Sequence, residues 1–304
     1  MNSSTGAAVQ QTNVVRAIAF IAVGMTFFGL SDALAKLLVA DLPVFEVVWA
    51  RYTFHFVFLF VLLRPKSLRR LVRTRHPRLQ FIRSAMHFMA AFCAFLALRY
   101  LPLAEATAIA FLWPLLACVL SVPILGERVG RWRWAAIFVG LAGALIIIRP
   151  GLGVVHWAAF LALGMAAAYA AYHVLTRRVG AADPFMTSLF YMGTVGVVVT
   201  TATLPFIWMP PDQTQWLLLA TLGLSGATSH FCVIQALQNA AASTLAPFGY
   251  IHLVSATLLG YVIFDALPDG PTIVGALIIV LSGLFLFYRE RVRTREAGGR
   301  GSRG

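Results

Sequence analysis

Between Val14 and Glu290 the chain alternates long apolar stretches with short polar ones, and about ten apolar stretches can be drawn. Each stretch is long enough, as a helix, to cross the roughly 30 Å hydrocarbon core of a bilayer. The predicted spans are residues 14–40, 45–63, 79–99, 103–125, 132–149, 155–176, 186–206, 215–237, 242–264 and 272–288. The pattern therefore predicts an all-α integral membrane protein with ten transmembrane helices.

Basic residues are concentrated on alternate loops, and this asymmetry predicts how the spans are oriented. The longest loop, residues 64–78, is rich in Arg and Lys, whereas the loops of the opposite face hold only Arg99 and Arg149. Short basic loops stay in the cytoplasm. Both termini are therefore predicted on the cytoplasmic side of the cell inner membrane, where the basic residues would meet anionic lipid headgroups. The formal charge of +13 is explained by topology, and nucleic acid is not expected as a partner because these arginines are scattered over loop ends.

The two halves of the chain resemble each other, which divides it into repeats. Residues 95–108 align with residues 233–246, and residues 126–127 align with residues 264–265. Five is an odd number of spans, so the second repeat must enter the membrane inverted. We expect a leader at 1–13, a first repeat at 14–149, a second at 150–288 and a basic cytoplasmic tail at 289–304. Inverted repeats place a solute site where the halves meet, near the membrane midplane.

Three segments carry a family resemblance: YLPLAEATAIA at 100–110, PILGER at 123–128 and APFGYIHLVSATLLGYVIFD at 246–265. They resemble the two EamA modules of the drug/metabolite transporter superfamily, over nearly the whole chain. The resemblance implies ten helices, cytoplasmic termini and a central cavity lined mainly by helices one, three, four, six, eight and nine. Members move amino acids, S-adenosylmethionine, riboflavin, opine-type metallophores and other solutes, so it names no cargo. Asp265 departs from the usual Gly-Glu pair, which we expect to affect the helix end and not substrate choice.

Four charged residues of the first two spans form a candidate gate or ion-pair network: Asp32, Lys36, Glu46 and Arg51. Asp32 and Lys36 are four residues apart on one helix, a spacing that favours an ion pair. Asp32 and Arg51 reach similar depth, so a second pair between the helices is also expected. Charges in hydrocarbon are costly and are retained for a reason. The network either holds the two helices together, the interpretation we prefer, or supplies counter-charges for a zwitterionic solute.

Histidines near the middle of three spans are candidate solute ligands: His87, His230 and His252, on helices three, eight and nine. Imidazole suits both proton transfer and hydrogen bonding near neutral pH. Each could instead bond a neighbouring carbonyl or serine as interhelical glue. His55, on helix two, is assigned to packing.

Aromatic residues complete the candidate pocket, with Trp113 and Tyr250 placed on its wall. Trp113-Pro114 and Ile251-His252 occupy matching positions in the repeats. A proline inside a membrane helix frees a backbone carbonyl, which is tolerated where it lines a cavity. A ring-bearing or cationic solute could stack there, although most membrane aromatics only pack or anchor.

These features favour a secondary transporter that alternates access to a central pocket for a small polar or amphipathic metabolite, by efflux of an amino-acid-like or opine-type solute. The alternative within the class is uptake of a flat cofactor such as riboflavin or S-adenosylmethionine. An integral membrane enzyme acting on a lipid-linked substrate is the alternative from another class, but the polar residues are spread singly over several helices. No catalytic residue, metal site or cofactor is predicted, because the three cysteines lack CxxC spacing and no phosphate-binding loop is present. Assembly into a homo-oligomer is left open.

Overall fold

A computed structural model describes residues 3–62, 64, 67–127, 129–149, 157–179, 183–240 and 242–301. Ten of its helices are long and apolar enough to cross a membrane, and no strand occurs in these residues. The ten, called spans 1 to 10 below, are Val14–Asp41, Val44–Val61, Pro77–Leu98, Leu103–Leu125, Arg131–Ile148, Ala158–Val179, Met186–Ile207, Gln213–Asn239, Ala246–Phe264 and Gly270–Arg289. The predicted fold class is confirmed, with span ends within a few residues of those expected; residues 155–156 of the sixth lie outside the described part.

Helical structure also extends beyond some spans. The first helix runs from Ser3 to Asp41 and the last from Gly270 to Gly301, so most of the leader and the basic tail continue the adjoining helix. A short helix, Leu68–Val72, lies in the long basic loop. Span 2 ends in a π-helical turn, Phe58–Leu62.

Packing between spans follows the inverted repeat. Span 1 packs mainly on span 8, and the counterpart of that pair, span 6 on span 3, is also a principal contact. Span 1 with span 9 matches span 6 with span 4, and span 8 with span 2 matches span 3 with span 7. Spans 2 and 7, and spans 5 and 10, pack on each other as equivalent partners. The two repeats therefore interleave around a pseudo-two-fold axis, and the centre of the molecule is built by both.

Large apolar side chains point outward along the bundle. Phe206, Leu217 and Val262 are 87%, 69% and 68% exposed. Such exposure would be costly in water, but it is expected of side chains that face lipid. The interior between spans holds mostly Ala, Leu and Ile, and the alanines let the membrane helices approach closely.

The ends of spans 4 and 9 show how the repeats correspond. Span 4 ends at Gly126 with φ 71°, and span 9 ends at Asp265 with φ 50°. The following residue closes the helix in each case, with the N–H of Glu127 bonding the carbonyl of Ser121 and that of Ala266 bonding Gly260. Gly126 is therefore equivalent to Asp265, one residue from the register expected from the sequence. Asp adopts this left-handed conformation more readily than most residues, so the departure at Asp265 concerns the helix end.

Candidate functional site

The fourth helix of each repeat is interrupted by an irregular turn. Span 4 is interrupted by a turn at Phe111 and Leu112, and its second segment begins at Trp113. Span 9 begins with a 3₁₀ turn, Ala246–Tyr250, before its α-helix starts at Ile251. The rings of Phe111 and Tyr250 stack at 5.1 Å between centroids. The two breaks thus face each other at the centre, where irregular backbone is tolerated because it is buried in protein.

The three predicted histidines are brought together next to these breaks. The rings of His87 and His230 lie 5.4 Å apart, between spans 3 and 8. Phe28 of span 1 contacts His230 at 4.9 Å and His252 at 5.7 Å. The hydroxyl of Tyr52 lies 3.1 Å from Nδ1 of His87. One continuous row of rings therefore connects five spans, and we call these five residues, Phe28, Tyr52, His87, His230 and His252, the central ring cluster.

The alternative role of the histidines was to join helices by bonding neighbouring groups, and two of the candidate partners, Ser229 and Ser255, bond other groups. The hydroxyl of Ser229 donates to the carbonyl of Ser225, and that of Ser255 donates to the carbonyl of His252. Neither serine bonds an imidazole. His55 does behave as a packing residue, since its Nε2 lies 3.2 Å from the carbonyl of Leu189, but its side chain also borders a cavity.

Asp32 pairs with His252 instead of with Lys36 or Arg51. Nε2 of His252 lies 2.8 Å from Oδ2 of Asp32, and the two side chains are 17% and 20% exposed. Lys36 Nζ donates to the carbonyls of Leu98 and Leu101 at 3.0 and 2.7 Å. The expected Asp32–Lys36 pair was therefore wrong, because the carbonyls at the junction of spans 3 and 4 satisfy the ammonium group.

Arg51 and Glu46 also have partners other than those expected. Arg51 Nη1 donates to Oγ of Ser31 at 3.0 Å, and its guanidinium lies 5.4 Å from the centroid of the Phe95 ring. Glu46 is fully enclosed and accepts the backbone N–H of Met209 at 3.1 Å. The expected Asp32–Arg51 pair does not form, so the four charges are not one network. They are distributed over separate contacts, and two of these, Asp32 with His252 and Glu46 with Met209, join the repeats.

Two small cavities flank the central ring cluster. The first is bordered by Arg51, Tyr52, His55, His87 and His230 together with small residues of span 8. The second is bordered by Asp32 and His252 together with Thr107, Met165 and alanines of spans 3 and 4. Their volumes are about 10 and 20 Å³, and a single water molecule needs about 10–15 Å³. Each cavity therefore has room for about one water molecule, and binding of a metabolite requires the spans to separate.

Trp113 and Tyr250 lie beside the cluster but border neither cavity. Trp113 stacks on His173 at 4.4 Å. The hydroxyl of Tyr250 donates to the carbonyl of Val280 in span 10 at 3.3 Å. Their placement on the pocket wall stays a prediction.

Several residues of this region escaped the sequence analysis. Phe28 bridges two of the predicted histidines, yet it is one of 23 phenylalanines and carries no distinguishing signal. Tyr52 could have been suspected as the neighbour of Arg51. Arg83, which is 2% exposed, donates to the carbonyl of Ser188 at 2.6 Å and lies over the ring of Tyr172.

Polar contacts close the bundle at both faces. At the face that bears the basic loops, called the basic face, Asp183 accepts hydrogen bonds from Thr74, Gln80 and the backbone N–H of Arg75. Burial alone would raise the pKa of Asp183, but these hydrogen bonds outweigh it and lower the pKa below its ordinary value. Arg177 and Glu127 form an ion pair at the same face. These contacts join the first repeat to the second.

The opposite face is closed by different contacts. Lys36 holds the junction of spans 3 and 4, and Glu46 holds the segment between spans 7 and 8. Arg149 and Asp269 form an ion pair between the end of span 5 and the start of span 10. The central ring cluster thus lies between two sets of polar contacts.

Comparison with known proteins agrees with this architecture. A solved crystal structure superposes with a TM-score of 0.62 at 21% identity, covering 91% of this chain and 97% of that one, which shows the fold. The S-adenosylmethionine uptake transporter of Rickettsia prowazekii is 27% identical over 86% of this chain and 89% of its own length.

Two further relatives have similar coverage. The riboflavin transporter of Vibrio cholerae is 29% identical over 84% of this chain and 86% of its own. The pseudopaline exporter CntI of Pseudomonas aeruginosa is 27% identical over 85% and 91%. The model of the EamA-like transporter family matches residues 15–149 and again residues 156–288. The chain therefore belongs to the EamA-like transporter family, with one module in each inverted repeat.

Proposed function

We propose that this transporter is a secondary carrier that exports a small amphipathic metabolite across the cell inner membrane by alternating access to the central ring cluster. The proposal rests mainly on two contacts of the central region that join the two repeats. Asp32 of span 1 pairs with His252 of span 9, and His87 of span 3 meets His230 of span 8. A site shared by two inverted repeats can open to either side when one repeat rocks against the other.

The closed faces supply the parts of such a cycle. Opening the basic face would break the hydrogen bonds of Asp183 and the Arg177–Glu127 pair. Opening the opposite face would release Glu46 from the backbone of Met209 and break the Arg149–Asp269 pair. Each face is closed by only a few polar contacts. Breaking the contacts of one face while the other stays closed therefore requires much less free energy than unfolding the protein. We propose that the basic face is cytoplasmic, as the distribution of arginines indicates; its arginines would then meet anionic headgroups.

The relatives frame the choice of cargo and direction. They include an S-adenosylmethionine uptake transporter, a riboflavin transporter and a pseudopaline exporter. All are named as transporters, which supports a transport role over an enzymatic one. The rings and the charged groups Asp32 and Arg51 suit a solute that has both a ring and polar groups. Uptake of a flat cofactor is the second candidate, supported by the riboflavin relative and by the rings of the cluster.

Untargeted metabolite profiling tests the proposal and assigns the direction. Cells and medium of a deletion strain are compared with those of the same strain carrying the intact gene or an Asp32→Asn, His252→Asn double variant. A compound that accumulates in the deletion cells and disappears from their medium supports export. A compound that the deletion strain leaves in its medium supports uptake instead of export. For riboflavin, uptake is checked by whether the gene lets a riboflavin auxotroph grow on a low concentration of the vitamin. No gene-dependent compound would overturn the transport proposal.

A further inference from the structure

Three Lys or Arg side chains of the first three spans are buried or half-buried, and one of them borders either of the two cavities. Lys36 is satisfied by two backbone carbonyls. Arg83 donates to a carbonyl and to the hydroxyl of Thr176 and lies over Tyr172. Arg51 borders the smaller cavity. The first two are tied into the packing of the bundle, whereas the third faces space.

The guanidinium of Arg51 has few partners for its hydrogen-bonding capacity. It offers five N–H donors, and its one hydrogen bond in the described structure goes to Ser31. No carboxylate of the described residues lies within ion-pair distance of it, because Asp32 is paired with His252 and Glu46 with the backbone of Met209. A charge held in the membrane interior without a counter-charge is costly. Such a cation is explained when an anion enters the cavity beside it.

His230 supplies a second polar group at the same cavity. Its side chain is 9% exposed, and its Nε2 has no hydrogen-bond partner in the described structure. The rest of the cavity wall consists of Met192 together with rings and small residues, including Tyr52, His87 and Gly226. A buried polar atom without a partner is costly unless a ligand or water completes it. One fixed positive charge and one free imidazole nitrogen thus meet in an enclosure lined by rings.

We infer that this cavity is the anion subsite of the transporter and that it binds a carboxylate of the solute through Arg51, with His230 bonding a neighbouring polar atom. The guanidinium fork matches the planar geometry of a carboxylate. A single guanidinium charge balances a carboxylate monoanion better than a phosphate dianion, and no Lys or second Arg borders the cavity among the described residues. Asp32 and His252 border the other cavity and take no part in this subsite. The assignment rests on the proposed transport function, and it restricts the cargo to carboxylates that carry a ring.

Benzoate and benzamide test this subsite without knowledge of the cargo. They share ring and size and differ in charge. Melting of the purified full-length protein is measured over a range of each probe at constant ionic strength. We expect benzoate to stabilise the protein at a concentration at least about tenfold lower than benzamide, and phenyl phosphate to act less than benzoate. Equal effects of benzoate and benzamide, including no effect, or a stronger effect of phenyl phosphate, would overturn the carboxylate assignment.

Variants separate binding from packing. Arg51→Gln should abolish the difference between benzoate and benzamide, and Arg51→Lys should retain part of it because the charge remains. Ser31→Ala removes the hydroxyl that Arg51 bonds and serves as the matched control: it should keep the benzoate preference. If Ser31→Ala loses the preference as completely as Arg51→Gln, the guanidinium acts only through packing and the inference fails. A benzoate preference combined with no gene-dependent metabolite would refute the transport function while keeping the site.

Discussion

Replacing Asp32 with Asn tests the pair that joins the repeats at the larger cavity. The substitution keeps the size of the side chain and a hydrogen-bonding group but removes the charge that faces His252 at 2.8 Å. A hydrogen bond to a charged group contributes about 1.5–3 kcal/mol and a neutral one about 0.5–1.5 kcal/mol. The expected loss of folding stability is therefore about 1–1.5 kcal/mol, too little to unfold the protein. Transport should be strongly impaired, because the charge borders the cavity.

The assay measures three quantities on the same preparation: protein level in the membrane, melting in detergent, and movement of the compound found by profiling. Asp265→Asn is the control, since Asn also tolerates the left-handed backbone at that helix end, and it should behave as the parent. The double variant with His252→Asn should lose less folding stability than the two single variants lose together, because each single variant already removes the same Asp32–His252 interaction. Unchanged transport in Asp32→Asn would refute the functional role, and loss of the protein would show that the pair serves only folding.

Two further predictions concern stability. In Gly275→Ala the new Cβ would lie 2.5 Å from the carbonyl oxygen of Gly143, so spans 5 and 10 must separate, and we expect the folding stability measured by melting in detergent to fall by about 1–3 kcal/mol. Gly164→Ala is the control and should melt as the parent does, because its Cβ would lie an ordinary 3.7 Å from Sγ of Cys93. Equal melting of the two variants would contradict the close approach of spans 5 and 10. Hydrogen bonds lower the pKa of Asp183 in the folded protein. Its contribution to folding stability is therefore complete above the pKa of the unfolded state, near 3.9, and disappears as the pH falls through the lower pKa of the folded state. Asp183→Asn should thus melt below the parent at pH 7 and converge with it in acid, and a constant difference across pH would rule out the carboxylate as the cause.

The spans could be predicted because a bilayer requires each crossing helix to be apolar over about 20 residues. Val14–Asp41 and Leu103–Leu125 are recognisable from their length and apolar composition alone. The meeting of His87, His230 and His252 could also be anticipated, since residue counts place them at similar depth. Counting gives depth but not rotation about the helix axis. It therefore could not show that Asp32 faces span 9, or that Lys36 turns towards the backbone between spans 3 and 4.

The two cavities explain why the charges of the interior are arranged as they are. A zwitterionic solute needs a counter-charge at each end, and Arg51 borders one cavity while Asp32 borders the other. Arg51 bonds Ser31, the neighbour of Asp32 on span 1, so both counter-charges are positioned by the same turn of one helix. In the proposed cycle Asp32 would move with span 1, and the hydrogen bond to Ser31 would keep Arg51 of span 2 beside it. The bound solute would then keep its contacts while the closing bonds at the two faces exchange. Span 1 is thus the element about which we expect access to alternate.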